Sequence, residues 1–137
     1  MDIDVKTLQE SHRRLAPRAD QLAQTFYDTL FARCPDVFPL FEGVRLDDQK
    51  RKLARALSLV VGHMERPEFL RPYLQGLGAL HVAYGVRSEH YPLFADCMLA
   101  ALAQTAGHAW SGEEARTWEA ALQVIAEAML IGAERVA

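Results

Sequence analysis

An all-α fold is what this sequence predicts, and three observations predict it. Apolar residues recur at steps of three and four in each long segment, prolines, glycines and capping residues punctuate those segments, and no β-branched run bounded by turns interrupts them. There is no internal repeat and no low-complexity stretch. The 137 residues are 50% hydrophobic, enough for one compact domain to bury a core without disulfide or metal staples. Residues 1–137 are therefore read as a single domain.

Val5, Leu8 and Leu15 lie among charges over residues 4–16, which makes a first amphipathic helix that Pro17 breaks. From 19 to 33, Leu22, Phe26 and Leu30 repeat at steps of four with Tyr27 and Phe31 on the neighbouring stripe, and Pro35 ends this second helix. The stretch "PDVFPLF" puts two prolines and two phenylalanines into seven residues, which suits a tight apolar corner. "EGVRLDD" reads as a loop closing on an Asp47 or Asp48 cap, after which Leu53, Leu57, Val60, Val61 and Met64 mark a third long helix. Pro67 separates it from the helix leading to His81, where Pro72, Gly76 and Gly78 lower the propensity and predict irregular or short helical turns. Ser88 is the expected cap of a fifth helix with Phe94, Met98, Ala101 and Leu102 on its buried stripe, ended by Gly107. The last helix opens on a Ser111–Glu114 capping box and runs through Trp118, Leu122, Ile125 and Met129.

The formal charge is −3, with 15 basic and 18 acidic residues spread along the chain, so no field gathers nucleic acid or anionic lipid. "MDIDVKTLQE" has no long hydrophobic run, which disfavours a secretory signal or membrane span and makes the cytoplasm the expected compartment. Cys34 and Cys97 have no Cys or His beside them at metal-ligand spacing and read as reduced, small apolar residues.

In "LQGLGALHVAYGV" (74 to 86), Leu74, Leu77 and His81 follow one another at steps of three and four, so a stripe of leucines ends in an imidazole just before "YGV" stops the helix. Alone, such a histidine is more often a hydrogen-bonded core residue than a ligand. Its company differs: a tyrosine-bearing second helix, a Pro-Phe corner, a glutamine four residues before a leucine, a histidine ending a helix, and "HYP" opening the next. With "FYDTLFARCPDVFPLF" (26 to 41), "QKRKL" (49 to 53), "LHVAYGV" (80 to 86), "EHYPLF" (89 to 94) and Trp118, the chain resembles bacterial globins over essentially its whole length. The likeness is to single-domain globins and to the haem domain of flavohaemoglobins.

The resemblance implies the globin fold, a three-over-three helical sandwich enclosing haem b (iron protoporphyrin IX). It makes His81 the proximal iron ligand, bonding iron through one ring nitrogen and donating from the other. It makes Phe41 the aromatic that wedges the ring, with ordinary core filling as the alternative or an accompanying role. Leu77, Val86, Tyr91 and Phe94 flank the proximal side, and Leu53 and Leu57 the distal side. Lys52 is placed to pair with a propionate, although a lysine beside Arg51 also fits a solvated face. Over the iron the resemblance sets Tyr27, and one turn before Leu53 on the same face stands Gln49. These two donors favour a ligand that takes on negative charge, such as dioxygen, over neutral carbon monoxide. The plainer alternatives are a Tyr27 hydroxyl at the surface and a solvated Gln49. His63, His12, His90 and His108 are not placed to close the sixth position.

Two function classes follow. The first is reversible binding of oxygen, or of nitric oxide or sulfide, at a pentacoordinate haem. The alternative is a nitric oxide dioxygenase working with a separate reductase, because the sequence carries no "GxGxxG" or other nucleotide-binding run. A helical domain that keeps the pattern without haem is a third. Flavohaemoglobins usually set a tyrosine and a glutamate behind the proximal histidine. Tyr91 matches the tyrosine, whereas alignment from Trp118 puts Ala133 at the glutamate position and Glu134 one residue late, a rotation of about 100°. That weakens the proximal push and favours binding over oxygen activation. Trp110 and Trp118 read as packing residues.

Overall fold

The structure is a computed structural model that describes residues 3–136. Helix α1 (Val5–Leu15) is capped by Asp4, whose carboxylate accepts from the Thr7 N–H at 3.1 Å. A 3-10 turn at Ala16–Arg18 accommodates Pro17 and leads into α2 (Ala19–Arg33), which buries Leu22, Phe26, Tyr27 and Leu30. The Pro-Phe corner is a 3-10 segment, Pro35–Phe41, with Val37 as its buried anchor. Then come α3 (Leu46–Gly62), α4 (Pro67–Ala83), α5 (His90–Ala106) and α6 (Gly112–Val136). Among the described residues there is no strand.

Four local expectations need correcting. α3 begins at Leu46 without a side-chain cap; Asp47 and Asp48 sit inside its first turn, where carboxylates oppose the positive end of the helix. α4 is one continuous helix rather than short turns, because Pro67 occupies its first position, and burial of Leu70, Leu74 and Gly78 outweighs the hydrogen bond lost at Pro72. Ser88 does not cap α5. The N-cap is Glu89 without a side-chain bond, and the His90 ring instead accepts the Arg87 N–H at 2.9 Å. Only half of the Ser111–Glu114 box forms: the Ser111 hydroxyl accepts from the Glu114 N–H at 3.1 Å, while the Glu114 carboxylate turns into the protein.

α1, α3 and α4 form one layer over α2, α5 and α6. The two layers are stapled through Glu114, which accepts from the Ser11 hydroxyl at 2.6 Å and pairs with Arg14 at 2.7 Å; the Trp118 indole N–H donates to Ser11 at 2.9 Å. Trp118 is thus a buried packing residue. The core falls into two clusters. The larger gathers Leu8, Leu22, Phe26, Tyr27, Leu30, Leu57 and Trp118, with Phe41, Leu53 and Phe94 packed on it. The smaller gathers Val60, Leu70, Leu74, Tyr91 and Met129, with Leu77 and Val86 packed on it.

Both cysteines carry free thiols; Cys97 is buried and Cys34 half-buried against the same cluster. No described helix is long and apolar enough to cross a membrane.

Candidate functional site

Helix α2 and the Pro-Phe corner together bury Tyr27. Its ring meets Phe41 edge-on with centroids 5.6 Å apart, Phe26 at 5.0 Å and Phe31 at 6.0 Å. Only 4% of Tyr27 is exposed, so its hydroxyl is not at the surface. Burial raises the phenol above its ordinary range, and the neighbouring Gln49 side chain works against that rise. The hydroxyl therefore stays protonated at neutral pH, a donor with Gln49 beside it. Gln49 is half-buried near the start of α3, on the helix that carries Leu53 and buried Leu57. A cavity of about 50 Å³ adjoins these leucines, walled also by Leu22, Ala23 and Met98.

His81 stands half-buried near the end of α4, its ring edge-on to Tyr84 with centroids 5.8 Å apart. Its Nδ1–H donates to the Leu77 carbonyl at 2.6 Å. A carbonyl only accepts, so the proton is on Nδ1 and the lone pair is on Nε2. Burial lowers the imidazole's affinity for a proton, and the Leu77 carbonyl partly restores it, which leaves the ring neutral at pH 7. The turn after His81 holds its backbone: the Tyr84 and Val86 N–H groups both donate to the His81 carbonyl, at 3.1 and 3.0 Å. Gly85 makes that turn with φ +89°, a conformation that side chains strain, and Leu40 of the Pro-Phe corner lies 3.1 Å from where a Cβ would project. The helix stop at "YGV" thus brings the turn that follows His81 against Leu40 of the Pro-Phe corner.

Each remaining expected site residue has a definite place. Leu77, Val86 and Tyr91 share the smaller cluster, whereas Phe94 packs on the larger one and stacks on His90 at 5.8 Å. Lys52 is exposed. Tyr91 is buried, and its hydroxyl has no hydrogen-bond partner among the described residues. Ala133 is half-buried and Glu134 exposed, so the carboxylate on α6 lies on the solvent side. The spare proton of His81 accordingly goes to a backbone carbonyl. A larger groove of about 400 Å³ runs between α5 and α6 past Tyr91, but His81 and Tyr27 do not line it. Sequence reasoning missed the Leu77 carbonyl as the orienting acceptor, although a histidine four residues after any helical residue is within reach of that carbonyl.

The residues fit a haem. Among the described residues no cluster of three or more His, Cys, Asp or Glu side chains can cage a bare metal ion. With Nδ1 protonated, His81 offers a single nitrogen donor at Nε2, the kind of ligand a protein adds to iron already held in a porphyrin. Phe38, Val44, Leu80 and Tyr84 stay exposed at the corner, just after it and at the end of α4.

Fold and site together define an all-α domain of six helices with a half-buried, Nδ1-protonated histidine near the end of α4. Comparison with known proteins agrees. The globin family profile matches residues 24–129. A flavohemoprotein of Bordetella parapertussis is 31% identical over 123 residues, 88% of this chain and 30% of its own length. An uncharacterized globin-like protein of Aquifex aeolicus is 27% identical over 127 residues, 92% of this chain and 88% of its own length. The solved bacterial globin of Campylobacter jejuni superposes with a TM-score of 0.86 at 24% identity, covering 96% of this chain and 95% of that one. The chain belongs to the globin family. It spans about 30% of the length of the flavohemoproteins it matches.

Proposed function

We propose that residues 1–137 form one globin domain that holds haem b through His81 and reversibly binds dioxygen. The observation that carries this reading is the His81 Nδ1–H donated to Leu77, which leaves Nε2 unprotonated on a half-buried ring. When bound, the haem would supply an iron that can take up a diatomic gas. The chain's own residues do the rest. His81 binds the iron, and the Leu77 carbonyl sets the plane and tautomer of its ring. Phe41 wedges the porphyrin, Leu77, Val86, Tyr91 and Phe94 pack its proximal side, and Lys52 pairs with a propionate. On the distal side Leu53 and Leu57 exclude water. Tyr27, a protonated and buried donor with Gln49 beside it, stabilises a gas ligand that acquires negative charge, so dioxygen is retained more strongly than carbon monoxide.

The likeness to flavohemoproteins supports a second reading, nitric oxide dioxygenation with electrons from a separate reductase. Against a strongly oxygen-activating site stands the backbone acceptor of His81, a weaker partner than a carboxylate. Nitric oxide or sulfide as cargo remains compatible with the same chamber. The test is an absorption series of ferric, ferrous, oxygenated and carbonyl forms, repeated with Tyr27→Phe. A stable oxygenated spectrum that this substitution shortens is the expected result. A chain that takes up no hemin ends the proposal. Nitrate formed catalytically from nitric oxide, only when a reductase is added, replaces the first reading with the second.

A further inference from the structure

Helices α4 and α6 approach each other closely through two glycines. A Cβ built on Gly78 would fall on the Met129 carbonyl oxygen and lie 2.8 Å from the Met129 Cα. A Cβ built on Gly132 would fall on the Gln75 carbonyl oxygen and lie 2.6 Å from the Gln75 Cα. The contact is reciprocal. Each glycine meets the backbone of the opposite helix, three residues before the other glycine, and backbone cannot rotate away as a side chain can. Both glycines are buried, Met129 belongs to the smaller core cluster, and the Arg135 guanidinium donates to the Gln75 side-chain oxygen at 2.8 Å across the same crossing.

His81 follows Gly78 by less than one turn, and its acceptor Leu77 is the residue next to that glycine. At about 100° per residue, His81 lies about 60° around the helix from Gly78 and about 20° from Leu70 and from Leu74, the buried residues of the same stripe. Whatever fixes the depth of Gly78 on α6 therefore fixes both the Leu77 carbonyl and the imidazole it orients. A helix carrying Pro72, Gly76 and Gly78 has low intrinsic propensity and needs such an anchor.

We propose that Gly78 and Gly132 are positioning residues for His81: their interlocked crossing seats α4 on α6 before any cofactor arrives and sets where the imidazole stands. The role in haem binding rests on the reading of His81 as the iron ligand, while the seating of α4 is independent of it. Two measurements decide the matter. In hydrogen exchange on the haem-free full chain, the amides of residues 74–81 are expected to be protected to the same degree as those of the α6 segment they cross. Exchange there at the rate of an unfolded peptide overturns the proposal.

The second measurement compares Gly132→Ala with Gly76→Ala, a substitution on α4 itself where an added Cβ meets open space. Gly132→Ala is expected to lose protection in α4 while keeping it in α2 and α5, to shift the iron–histidine stretching band of the ferrous form, and to release haem at least about tenfold faster. Gly76→Ala is expected to change none of the three for the worse. A Gly132→Ala protein with wild-type protection and band, or equal damage from Gly76→Ala, overturns the proposal. If Gly132→Ala does not accumulate as folded protein, the wild-type exchange pattern decides alone. Failure of the wild type to take up hemin removes the haem reading and leaves the exchange result standing.

Discussion

The phenol of Tyr27 sits among Phe26, Phe31 and Phe41 with an amide beside it, and that setting decides how tightly a gas is kept. A hydrogen bond to a charged group contributes about 1.5–3 kcal/mol. Tyr27→Phe keeps the ring and removes the donor, so dioxygen release measured by stopped flow is expected to quicken by about 10- to 100-fold. The melting temperature should hardly move. Tyr91 presents the opposite case. Its hydroxyl is buried without a partner among the described residues, and a buried unsatisfied hydroxyl costs about 1–3 kcal/mol. Tyr91→Phe is accordingly expected to leave stability unchanged or to raise it, read as the midpoint of urea unfolding, and a loss of more than about 1 kcal/mol would mean that the hydroxyl has a partner after all. A residue that the family likeness makes functional thus has, in this chain, little left to act on, because the carboxylate of Glu134 faces solvent.

At the level of helices, the staple between α1 and α6 makes its own prediction. Ser11 is 1% exposed; it donates to Glu114 and accepts from the Trp118 indole, so Ser11→Ala orphans the buried indole N–H and takes one donor from a buried carboxylate that keeps Arg14. The expected cost is about 2–4 kcal/mol, measured by denaturant unfolding, with Trp118 fluorescence shifting as its indole loses its acceptor. None of this was visible in the sequence, since Ser11 and Glu114 are joined across 103 positions and each has an ordinary local role to play. Periodicity did reveal all six helices, because an apolar stripe is a local record of which face is buried. It failed at caps and at Pro72, where tertiary burial overrode local preference. The site divides in the same way. His81, Tyr27 and Phe41 were legible as types at spacings, whereas Gly78 read only as a weak helix former and Gly132 carried no signal, because a close crossing is a property of two helices and of neither alone.

For the molecule as a whole, the acid side of the stability curve is set in part by the carboxylate that joins its layers. Burial works to raise the Glu114 carboxyl, but hydrogen bonds from Ser11 and Arg14, the Arg14 charge and the Ser111 turn outweigh it, so its folded-state value lies below the ordinary 4.5. A carboxyl depressed in the folded state binds its proton more readily in the unfolded chain. Its contribution is therefore complete above about pH 4.5 and drains away as pH falls through the lower folded value. Glu114→Gln keeps the shape and removes the titration. It is expected to be less stable than the parent at pH 7, and the difference should narrow steadily below pH 4.5. Thermal unfolding of both proteins across pH 3–7 on the haem-free chain isolates this effect from ligand binding, which would otherwise add its own stabilisation. Parallel curves over the whole range would show that the layers are held at low pH by apolar burial alone.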